Sequence, residues 1–127
     1  MTYNASSVGQ IIYSRINSTV PCYPNIAPQN TAAPYCVYQV LNSEADDVKE
    51  STSWVDTVTV LLTIYEETQS TAAGHANTIR GALDGYSGTI NSIKVDSICY
   101  LTEATDYDPD ALKHVITQEY KLRILNT

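Results

Sequence analysis

Asp106, Asp108 and Asp110 stand at alternate positions, the opening pattern of an EF-hand calcium loop. That loop also needs a glycine where Ala111 stands and a bidentate glutamate where Thr117 stands, between helices. Here the flanks read as strands, so the three aspartates describe a solvated acidic turn. His75 and His114 are far apart, and neither keeps a metal-ligand spacing with a cysteine or carboxylate. Cys22, Cys36 and Cys99 include no C-x-x-C pair, and three cannot all pair within one chain. They read as reduced thiols, at least two of them buried on strands as small hydrophobes. A Cys–His nucleophilic pair would meet only in the fold, and no spacing points to one. Gly85-Tyr86-Ser87-Gly88 follows a helical pattern and lacks the spacing of a nucleophile elbow. With no glycine-rich phosphate loop either, the sequence predicts no catalytic group, metal or cofactor.

A second acidic group is Glu44, Asp46, Asp47 and Glu50, relieved only by Lys49, within the polar stretch Asn42 to Ser53. Twelve residues are long for a hairpin connection, and long loops are commonly functional. The run reads either as a solvated hairpin loop or as a surface presented to a partner.

The elements that must position these residues follow from periodicity. Val8, Ile11, Ile12 and Ile16 make an amphipathic helix near residues 6–18, capped by Ser6 or Ser7 and ended by Pro21. Val20 to Tyr38 holds four of the five prolines, so it runs extended and turning, with one short strand at Cys22–Ile26. Pro34 to Leu41 and Trp54 to Tyr65 are strands. In the second, Trp54, Val58, Val60, Leu62 and Ile64 share one face, and threonines with Val55, Leu61 and Tyr65 share a partly covered other. Ala72, Ala76, Ile79 and Leu83 form one helical stripe. Ser70 or Thr71 would cap that helix, Glu66 and Glu67 suit its positive end, and Gly85 ends it. Thr89 to Glu103 is a strand with Ile93, Val95, Cys99 and Leu101 opposed to Lys94, Asp96, Ile98 and Tyr100. Ala104 to Leu112 is a turn, and His114 to Leu125 a last strand with Ile116, Tyr120, Leu122 and Ile124 inward. The expectation is a single α+β domain over residues 1–127. An antiparallel sheet of four or five strands carries two helices on one face, in the order α-β-β-α-β-β.

Composition narrows the function. The 127 residues are 43% apolar and 17% charged, a globular balance. Fourteen acidic against seven basic residues give a formal charge of −7 with no basic cluster, which disfavours tight nucleic-acid or membrane-surface binding. The polar start, Met1 to Gln10, predicts no export signal, and no apolar run approaches a membrane span. Ten tyrosines with no phenylalanine fit half-buried positions whose hydroxyls stay wet, as at interfaces. Equally, tyrosine can replace phenylalanine in a small sheet.

Tyr23-Pro24, Ala27-Pro28-Gln29 and Ala33-Pro34-Tyr35-Cys36-Val37-Tyr38, placed between a short helix and a sheet, carry a resemblance. In these motifs, in length and in element order, the chain from about Ser6 to Leu125 resembles the tail-terminator (tail-completion) family of long-tailed bacteriophages. Tyr86 to Thr105 matches less well, so the aspartate turn inherits nothing. The resemblance implies a structural virion protein of the neck, assembled in the host cytoplasm, without cofactor or chemistry. It implies a ring of six copies on the head-proximal end of the tail tube. The ring would stop tube polymerisation and join the tail to a head-completion or connector protein. Viral DNA would pass through it without tight binding, and Glu44, Asp46, Asp47 and Glu50 become candidates for lumen or tube contact. The nearest rival is another neck component, such as a head-completion protein at the portal. A more distant one is a small α+β enzyme or ligand-binding domain with a pocket between sheet and helices.

Overall fold

The computed structural model describes residues 5–24, 34–45, 55–90, 93–110 and 112–125. Helix α1 (Ala5–Ile16) leads into β1 (Cys22–Pro24), β2 (Tyr35–Ala45) and β3 (Val55–Glu66). Helix α2 (Gln69–Leu83) follows, then β4 (Gly88–Ile90), β5 (Ile93–Asp108) and β6 (Lys113–Leu125). The α+β expectation holds, but the sheet has six strands in the order β1-β2-β3-β6-β5-β4 and is mixed. Two three-residue strands border the four long ones, and β1 lies parallel to β2, pairing Cys22 with Cys36. The long strands are antiparallel, with β3 and β6 at the centre.

Alternation decides what is buried. Val58, Val60, Leu62 and Ile64 on β3, and Ile116, Tyr120, Leu122 and Ile124 on β6, point to one face. Both helices cover that face. Val8, Ile11, Ile12 and Ile16 of α1 join Ala72, Ala76, Ile79 and Leu83 of α2 and the sheet residues in one apolar cluster. Burying each large aliphatic side chain there contributes about 1.5–3 kcal/mol. The opposite face, called outer below, is half-buried along β3 at the odd positions from Thr57 through Tyr65.

Five local expectations are corrected. β2 continues as strand through Ala45, because Thr59, Val58 and Thr57 of β3 offer ladder partners to Asn42, Ser43 and Glu44, and pairing overrides polar composition. β5 likewise runs on to Asp108 against β6, so only the last part of the expected 104–112 turn is a turn. A bulge between Val95 and Ser97 inserts one residue and reverses the phase of β5 until a second shift, between Tyr100 and Thr102, restores it. Ile98 is therefore buried and Cys99 exposed, the reverse of their expected sides, and Leu101 is 44% exposed. The α2 cap is Thr68, whose Oγ1 accepts from Thr71 N at 3.2 Å, not Ser70 or Thr71. Helix α1 begins at Ala5, so Ser6 and Ser7 lie within it and the capping position falls outside the described residues. Trp54 also lies outside them, as does Ile26, and β1 ends at Pro24.

Candidate assembly surface

Of the expected loop carboxylates, Glu44 stands on β2 opposite Thr57. Asp46, Asp47 and Glu50 lie outside the described residues. Two of the aspartates also order the hairpin locally. Asp106 Oδ1 accepts from Tyr107 N at 2.7 Å, and Asp108 Oδ1 accepts from Asp110 N at 3.0 Å. Among the described residues no three histidine, cysteine or carboxylate groups could share a metal ion.

His75 of α2 is half-buried. Its Nδ1 lies 2.5 Å from Oε2 of Glu66, which is 2% exposed. Glu66 thus faces His75 inside the fold, and neither Glu66 nor Glu67 lies in the first turn of α2. The signal was present: Glu66 continues the even-numbered buried phase of β3, and His75 sits three residues beyond Ala72 on the buried stripe. A second buried polar group was not foreseen. Gln118 Nε2 donates to the Ala76 carbonyl of α2 at 3.1 Å and to Glu103 Oε1 at 2.8 Å. Its Oε1 accepts from the Tyr120 hydroxyl at 2.8 Å. Burial, then the Asp84 charge, pushes the Tyr120 phenol well above its ordinary range. Arg15 ties the helices together, donating from Nε and Nη2 to the Ala82 carbonyl at 3.0 and 2.8 Å. These groups hold α2 on the sheet and against α1.

The surface left for a partner is the outer sheet face and its edges. Its two ends differ. At the end where β3 finishes and β6 begins, Tyr35 and Tyr65 stack with centroids 4.7 Å apart. Asp108 stands close enough to these rings that, after burial, its charge helps raise the Tyr65 phenol. Tyr107 and Leu112, 45% and 66% exposed, lie in the same β5–β6 hairpin. From Leu101 to Asp108, β5 has β6 on one side and, among the described residues, no strand on the other.

At the opposite end, the outer positions carry Lys121 across from Cys99, Arg123 across from Ser97, and Lys94 across from Leu125. All three cations are exposed. Arg123 Nε reaches Asp96 Oδ2 at 3.4 Å, an exposed pair of small energetic weight. Sequence order hid this grouping, since Lys94 lies far from Lys121 and Arg123 along the chain and only the β5–β6 register joins them.

Comparison with known proteins follows the same line. A family model described as tail completion protein gp17 matches residues 14–125. A chain from a structure of the virion of a native gene transfer agent particle has the same fold, with a TM-score of 0.70 at 14% identity. That match covers 97% of this chain and 100% of the other. No curated protein matches.

Proposed function

We start from the family to which this chain belongs, that of tail completion protein gp17, and propose that it forms a closed ring on the head-proximal end of a phage tail tube. The family makes the chain a structural component of a phage tail. Our reading adds six copies, a tube protein on one face of the ring and a head-completion or connector protein on the other. It acts by shape, without catalysis or cofactor. The observation that carries the reading is the extent of the family match, which leaves out only residues 1–13 and the last two residues. The half-buried outer face with its stacked tyrosines agrees with it, since such rings are favoured at interfaces. A head-to-tail contact whose rotation closes gives a ring, and one that does not close gives a filament. A terminator needs the first kind among its own copies.

Electron microscopy of particles lacking this protein tests the reading. Tails of unregulated length, or finished tails unattached to heads, are expected; normal joined tails of fixed length remove it. Within the reading, we assign Glu44, Asp46, Asp47 and Glu50 to the lumen or the tube contact. Carboxylates in the lumen would repel DNA phosphates over the screening length of about 8 Å at physiological salt. Replacing all four by lysine should impair DNA passage or tail joining while leaving the subunit folded. Undiminished infectivity of that variant ends the assignment.

A further inference from the structure

The outer face is unequally charged along the strands, although Asp96 stands beside Arg123 at one end and Lys113 across from Asp108 at the other. Asp106 and Asp108 pair with Val115 and Lys113 near the start of β6, whereas Lys121, Arg123 and the Lys94 position lie near its end. Eight residues of antiparallel strand separate Lys113 from Lys121, roughly 27 Å at the usual rise. The acidic, tyrosine-bearing end therefore cannot reach the basic end of its own molecule. Each end has what the other attracts: carboxylates and aromatic rings for ammonium and guanidinium groups.

We propose that the β5–β6 hairpin end of one copy docks on the Lys94–Lys121 end of the next, and that this is the contact joining neighbours in the ring. The inference rests on the collar reading in one respect. A twofold pair would satisfy both ends at once and stop at two copies, whereas a collar needs each copy to use its ends on two different neighbours. Along β5 from Leu101 to Tyr107 no described strand lies on the side away from β6, so the hairpin can approach by that side, and Leu101 and Tyr107 supply apolar area. Complementary ends within one chain favour a second copy over DNA as the occupant.

Cross-linking tests this with the full chain. Cys99 is exposed beside Lys121, while Cys22 and Cys36 are buried. Leu112→Cys places a second accessible thiol in the hairpin turn without removing a charge, too far from Cys99 for an intramolecular link. A bismaleimide spanning about 10 Å should yield a ladder beyond dimer, at low salt, linked between Cys99 and position 112 by mass spectrometry. In this background Lys94→Glu with Lys121→Glu should lower the linked fraction about tenfold, and so should Asp106→Lys with Asp108→Lys. Mixing the two reversed proteins should restore the ladder, because each then offers the end the other lost.

Products that stop at dimer, links between like positions, or no links overturn the proposal. So does binding of a short DNA duplex that Lys94→Glu and Lys121→Glu abolish while the cross-links stay absent. The collar reading fails separately: regulated, head-joined tails in particles without the protein refute it, whereas rings lacking these links refute only the contact.

Discussion

Glu66, the last residue of β3, is buried and has His75 of α2 against its carboxylate at 2.5 Å. This pair links the end of the central strand to the helix that covers it. Taking away His75 leaves the Glu66 carboxyl buried and unsatisfied, which costs more than losing both. His75→Ala should destabilise the fold by about 2 kcal/mol. Adding Glu66→Leu should return most of it. Urea denaturation of the single and double variants checks the order; a double variant weaker than His75→Ala alone would contradict it.

Gly9 of α1 sits against Tyr38 of β2. A methyl group at its Cα would lie 2.6 Å from the phenol oxygen and 2.9 Å from a ring carbon. In an open helix Gly→Ala gains up to about 1 kcal/mol, and here overpacking costs about 1–3 kcal/mol. Gly9→Ala should therefore lower thermal stability in the native background and raise it when Tyr38 is replaced by leucine. The same sign in both backgrounds would show that the close approach does not control the helix position.

Tyr120 has a phenol held above its ordinary value by burial, and burial raises Tyr35, Tyr38 and Tyr65 in the same direction. The unfolded phenols ionise near pH 10 while the folded ones keep their protons. Their contribution to stability is full below about pH 10 and is lost as pH rises through the folded values. Unfolding free energy should fall with pH above about 10, and more shallowly in Tyr120→Phe than in the native protein. Equal slopes from denaturant titrations between neutral and alkaline pH would exclude the phenol as a source.

Thiol reactivity distinguishes the three cysteines. Cys36 pairs with Cys22 across β1 and β2, and its hydrogen bond with that neighbour, followed by burial, holds its thiol well above the usual range. A maleimide should label one site per native chain, at Cys99, and three after denaturation. Native labelling at Cys22 or Cys36 would show that the β1 edge opens.

The amphipathic periods of the chain were enough to place both helices, the central strand Val55–Glu66 and most of the core, because burial on one side imposes a period that composition records. The tail-completion family was legible as well, in the tyrosine–proline motifs ahead of the sheet. Strand ends were not: Asn42 to Ala45 and Ala104 to Asp108 are polar, and they are strands because a neighbouring ladder holds their backbones. Nor was the phase of β5 from Ser97 to Tyr100, since one inserted residue exchanges the two faces, a second restores them, and neither leaves a mark on local composition. The buried Glu66–His75 pair and the cluster of Lys94 with Lys121 and Arg123 belong to the same class. They join residues from different elements, and a one-dimensional pattern holds the alternation of each strand but not the register that sets one strand against the next.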